Sequence, residues 1–321
     1  MARHLVTTPS FMDPESVTKP LVFLLDYASG TVNVYLQKDK NKMVGQIASP
    51  GGSGIATDSS RNLYVANSTA SYVDNILVYA PPYTGSPMLT LDDTGYFPFA
   101  AAISPEGVVG VLNYCNSPSC NPSTANVVFY AKNATTPCAM VADPTNFGYL
   151  ESSGFDKRGT LFIDGMTSSG QSTIGEVRGG CKAKKIALLT MANPVKVPGG
   201  IHVDKADRIA IFVPIPGHRA EPDRLRRRFD SGSNQPAIYT YLHPKLHSLG
   251  NSISTTPLMG AALGCVDEFA FLASGAKLYL ADFCDGVASE YDYPAGGAAE
   301  KTITVEANEP ASVAVTPPLV P

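Results

Sequence analysis

Apolar residues in this chain come in short runs of about five, many closing on Asp or Asn and separated by turns rich in Gly, Pro, Ser and Asp. Runs of that length between such turns predict β-strands, because a helix needs a longer stretch at a 3.6-residue spacing. The pattern also repeats. A small-residue strand, a polar turn and an apolar strand recur as GIATDSSRNLYVANS (54–68), AAAISPEGVVGVLNY (100–114) and SSGFDKRGTLFIDGM (152–166). GIHVDKADRIAIFVP (200–214) and FAFLASGAKLYLADF (269–283) continue the series. A sixth copy is split between ASVAVTPP (311–318) and PLVFLLDY (20–27). Each copy is followed by an aromatic-bearing strand and a weaker fourth one, such as NILVYAPP then PMLTLDD.

Four strands per unit and six units predict an all-β, six-bladed β-propeller with antiparallel blades. The split copy predicts that the C-terminal strand completes the N-terminal blade, which leaves no open sheet edge between the chain ends. The expected organisation is an extension at residues 1–19 and one propeller domain at 20–319, with an insertion at 217–235 in blade five.

Composition narrows the setting. Only 16% of residues are charged while 44% are apolar, so the chain is expected to fold and not to be disordered. Basic residues number 24 and acidic ones 28, a net charge of −4 that argues against a nucleic-acid surface. No apolar run reaches the length of a membrane-spanning helix, so no transmembrane segment is expected. The first twenty residues lack the basic start, apolar middle and cleavage site of a secretory signal, so any leader is expected to lie outside this sequence. Six cysteines at segment edges point to disulfides and an oxidising compartment, secreted or periplasmic. Topology predicts the pairs Cys115–Cys120, Cys138–Cys181 and Cys265–Cys284. A monomer is expected.

Loops that precede the first strand and follow the second gather at one mouth of a propeller channel. Counting back from each copy places Ser53, Phe99, Glu151, Gly199, Glu268 and Ala311 there, so Glu151 and Glu268 are candidate catalytic carboxylates or metal ligands. His202, in an innermost strand, is a candidate general base. Asn67, Asn113, Asp164 and Asp282 end second strands and are candidate binding residues, although short polar side chains at strand ends also cap turns. Arg219 and four further arginines of the insertion could clamp an anionic ligand. His243 and His247 have a spacing that suits zinc on a helix, but Pro244 and the strand context remove the helix. No catalytic signature of the G-x-S-x-G, H-E-x-x-H or phosphate-loop kind occurs.

The stretch from Gly54 to Asn67, with Ile55, Ala56, Asp58, Asn62, Leu63, Tyr64, Val65 and Ala66, resembles the NHL and SMP-30-like group of six-bladed propellers. It resembles more closely bacterial secreted propellers that carry the same signature. In SMP-30-like and paraoxonase-like hydrolases the pre-strand positions hold a channel calcium. That resemblance implies a divalent metal at Glu151 and Glu268, whereas Ser53, Phe99 and Gly199 stand where that family has Asn and Asp ligands. The expected function is hydrolysis of a small ester, lactone or phosphoester in the channel. The alternative is a non-catalytic propeller that binds a peptide, glycan or envelope component.

Overall fold

The computed structural model describes residues 9–38, 42–48, 52–68, 74–116, 125–192, 199–213, 236–260, 263, 266–304 and 309–320. The side chains of residues 115, 116 and 267 are outside that description. Six separate antiparallel sheets form the six blades of a β-propeller, and short 3-10 turns are the helical elements among the described residues. In blade 1 the strand Pro310–Thr316 is innermost and pairs with Leu21–Asp26, Leu21 opposite Thr316, so the two chain ends close the ring as the split repeat predicts.

Four strands per blade is the rule, but three blades carry a fifth. Phe11–Met12, from the expected extension, pairs with Met43–Ala48 at the outside of blade 1. Ser248–Gly250 of blade 5 lies parallel to the outer strand Ile186–Met191 of blade 4, and Gly297–Ala298 of blade 6 lies parallel to Ser254–Met259 of blade 5. These additions cover outer edges whose N–H and C=O groups would otherwise be open to pairing.

The apolar runs are continuous because both faces of every blade are buried. Leu161 and Ile163 belong to the cluster shared with blade 3, while Phe162 between them belongs to the cluster shared with blade 5. Six such clusters fill the six spaces between neighbouring blades, including the one between blades 6 and 1. A strand of period two can serve two neighbours only if every position is apolar. On the outside, Cys138 and Cys181 form the predicted disulfide between the third-to-fourth strand connections of blades 3 and 4. Cys284 is also disulfide-bonded. Its predicted partner Cys265, the side chain of Cys115, and Cys120 lie outside the described residues, as does the insertion with Arg219. Among the described residues no helix is long and apolar enough to cross a membrane.

Candidate functional site in the axial cavity

The innermost strands surround a cavity of about 120 Å³ on the propeller axis. One layer of its wall consists of Ala56, Ala102, Gly154, His202, Ala270 and Ala314, a single equivalent position in each of the six blades. Small side chains there keep the axis open. His202 is the polar member of the layer. At one end the C-terminal segment passes beneath the cavity, where Pro318 pairs with Leu272 and both Pro318 and Leu319 join the lining.

Where these strands enter the ring, their ladders are interrupted. Ser53, Phe99, Asp267 and Ala311 are each left unpaired between flanking pairs, and in blade 4 Glu151 and Ser152 together face Asp164. Such β-bulges re-aim side chains near functional sites. They also correct one sequence expectation. Glu268 faces Ala281 as Gly54 faces Ala66 and Ala100 faces Leu112, so it sits one residue deeper than the position of Ser53 and Glu151. The cause is the first turn of blade 6, which has one more residue: Phe271 pairs with Leu278, whereas Thr57 pairs with Leu63.

Depth brings Glu268 to the cavity wall and to His202. Its Oε1 lies 2.5 Å from Nε2 of His202, whose side chain is 25% exposed. Ser152 Oγ donates to the same carboxylate at 3.2 Å, and the Phe269 backbone N–H donates to Oε1 at 3.2 Å. The Phe269 ring stands edge-on to the imidazole with centroids 4.7 Å apart. Ser152 Oγ in turn accepts from the Ile201 backbone N–H at 3.2 Å. Three blades are thus tied through one carboxylate.

Asp164 is buried behind this pair. It accepts the Ser152 N–H at 2.7 Å and the Gly200 N–H at 3.2 Å, so it fixes the strands that carry Ser152 and His202. Burial, and then the charges of Glu151 and Glu268, hold its carboxyl well above the ordinary range. Its position has a local cause. Asp164 is three residues beyond Leu161, whereas Asn67 is four beyond Leu63, and a one-residue offset in a strand turns a side chain to the opposite face.

The other strand-end residues knit strands and turns. Asn67 donates to Asn75 Oδ1 at 3.0 Å, Asn113 donates to Asn126 Oδ1 at 3.1 Å, and Asp282 Oδ1 accepts from the Cys284 and Asp285 N–H groups. None of these three lines the cavity. Glu151 is buried and adds its charge to the field at Asp164. Among the described residues, Glu151 and Glu268 join no group of three ligating side chains close enough to share a metal ion. Ser152 and Phe269 were not distinguishable in sequence, because a serine in LESSGF and a phenylalanine in DEFAF look like ordinary strand residues.

No protein-family model matches the chain, and no curated protein matches its sequence. Solved structures do resemble it in fold. A chain of a nidogen/laminin complex has a TM-score of 0.62 at 13% identity and covers 92% of this chain and 98% of its own. A protein of unknown function from Desulfotomaculum acetoxidans has a TM-score of 0.58 at 12% identity over 99% of this chain and 91% of its own. A candidate 6-phosphogluconolactonase from Bacteroides fragilis has a TM-score of 0.56 at 14% identity over 95% of this chain and 100% of its own. Likeness at that identity defines the class, a β-propeller, and does not extend to an activity.

Proposed function

We propose that the axial cavity is the functional site of an exported propeller and that His202 and Glu268 are its reactive pair, hydrolysing a small ester, lactone or phosphoester. The observation that supports this reading is the 2.5 Å contact between Nε2 of a cavity-facing histidine and a carboxylate held by two further donors. An ionised carboxylate only accepts, so it fixes the ring proton on Nε2 and leaves Nδ1 as the basic nitrogen. Nδ1 takes a proton from a water as that water attacks the substrate, and returns it to the leaving oxygen. Glu268 positions the ring. The likeness to a candidate lactonase agrees with this chemistry, and the disulfide between Cys138 and Cys181 agrees with export, secreted or periplasmic.

A second reading is favoured by a specific observation. The Ser152 hydroxyl is buried and bonded to Glu268, not to His202, so it is not an activated nucleophile. A non-catalytic propeller that binds a peptide, glycan or envelope component is consistent with that, and a similar propeller chain occurs in a complex of nidogen with laminin. The test is a panel of chromogenic esters, lactones and phosphoesters with wild type, His202→Gln and Glu268→Gln. Hydrolysis by His202 predicts a drop of roughly a hundredfold or more in the first variant. Equal turnover in wild type and His202→Gln refutes the catalytic reading, and ligand-dependent thermal stabilisation without turnover supports the binding one.

A further inference from the structure

A second group of ligating side chains lies away from the axial cavity, between blades 4 and 5. Asp156 opens the turn that joins Tyr149–Phe155 to Leu161–Met166, Asp207 occupies the equivalent turn of blade 5, and His243 follows the third strand of blade 5, Ala237–Tyr241. One nitrogen of His243 and one oxygen from each aspartate lie within 4.8 Å of one another.

Local structure prepares each carboxylate. Asp156 Oδ1 accepts the Arg158 and Thr160 N–H groups at 2.9 and 2.7 Å, which fixes the group and aims Oδ2 out of the turn. The Asp156 side chain is completely buried, and Oδ2 receives no hydrogen bond. Asp207 is held at a φ of 61°, a left-handed conformation uncommon outside glycine. The His243 ring stands between them, with Nε2 at 3.1 Å from Asp207 Oδ2 and Nδ1 at 3.7 Å from Asp156 Oδ2. Nε2 is buried and makes no hydrogen bond of acceptable geometry despite the short distance. The ring pairs electrostatically with Asp207, which leaves the buried Asp156 Oδ2, also facing the ring, without a hydrogen-bond donor.

A shared ion explains it. Ligand atoms at 2.0–2.2 Å from a tetrahedral zinc lie roughly 3.3–3.6 Å from one another, and here one ring nitrogen and both carboxylate oxygens lie within 4.8 Å of one another, close enough to draw in around an ion. We propose that Asp156, Asp207 and His243 bind one divalent transition-metal ion of the zinc class, with water completing the coordination, and that the ion clamps blade 4 to blade 5. One imidazole and two carboxylates suit zinc, cobalt or manganese and are too few oxygens for calcium. Two cations already touch the group, Lys157 Nζ at 3.3 Å from Asp207 and Arg158 Nε at 3.4 Å from Asp156. Both side chains are more than half exposed, so they leave for solvent when the ion enters.

The experiment uses the full chain after chelator treatment and dialysis, titrated with Zn²⁺ by calorimetry and with Co²⁺ by visible absorption. Wild type is expected to take up one equivalent, to show a Co²⁺ ligand-field band and to gain thermal stability with rising metal concentration. His243→Gln is expected to lose all three, and His202→Gln to keep them, which separates this site from the axial cavity. Asp207→Asn, close in shape to the parent, is read in the same way should the glutamine variant fail to fold. Absence of uptake by wild type, or uptake unchanged in a folded His243→Gln or Asp207→Asn, overturns the proposal and leaves the group an ion-paired contact between blades.

Discussion

Asp93 gives a quantitative handle on the buried polar network between blades 2 and 3. It is 2% exposed, accepts the Tyr130 hydroxyl at 2.9 Å and the Asn113 amide at 3.5 Å, and its Oδ2 receives no hydrogen bond. Burial is the main force on it, only partly offset by those two donors and reinforced by the charges of Asp74 and Asp92. Together these push its carboxyl up from 3.8 to about 7. In the unfolded chain the proton leaves near pH 4, whereas the folded protein keeps it until near pH 7. The folded state therefore binds more protons across that window, and stability falls as pH rises through it. At about 1.4 kcal/mol per pH unit the loss reaches about 4 kcal/mol by pH 8, and it is absent at pH 4. Asp93→Asn keeps an oxygen for Tyr130 and cannot ionise. The variant is thus predicted to match wild type at pH 4 to within about 1 kcal/mol and to exceed it by up to about 4 kcal/mol at pH 8. Urea denaturation of both proteins at the two pH values reads this directly. A stability difference that is the same at pH 4 and pH 8 would refute the reasoning.

Two other perturbations probe how the ring is held. A Cβ on Gly154 would lie 2.9 Å from the His202 Cα and 3.1 Å from the Ile201 carbonyl oxygen, both backbone atoms of blade 5. Gly154→Ala is therefore expected to cost about 1–3 kcal/mol in thermal or urea unfolding and, by displacing His202, to lower turnover as well; unchanged values for both would show that the strands approach less closely. The Cys138–Cys181 bridge closes a loop with a sequence separation of 43, which the chain-entropy relation converts to about 4 kcal/mol. Cys138→Ser with Cys181→Ser should lower stability by that order in denaturant, and an unchanged midpoint would contradict it.

Much of the fold was legible because the second strand of each unit is written in nearly the same letters, as LYVAN, LFIDG and LYLAD show. Ring closure was legible too, since PLVFLLDY lacked a first strand that ASVAVTPP could supply. The fifth strands were not, because pairings as short as Gly297–Ala298 are set by the exposed edge of a neighbouring blade and leave no pattern of their own. At the site, sequence singled out Glu151, Glu268 and His202, but it placed the two glutamates at equivalent depth. The extra residue in one turn of blade 6 moves Glu268 inward to His202, and no local propensity announces such a register shift. Asp164 looked like Asn67 and Asn113 for the same reason. One residue fewer before it turns its side chain from a strand end to the backbone of blade 5.

The claim that the axis of the propeller is where function resides is tested most directly by filling it. Ala56 lines the cavity on blade 2, opposite the blade that carries His202, so Ala56→Leu adds bulk on the axis while leaving His202 and Glu268 untouched. Measured with the best substrate or ligand of wild type, the variant is predicted to keep its unfolding midpoint and lose turnover or binding. Wild-type turnover or affinity in the filled protein would contradict the account and move the site off the axis.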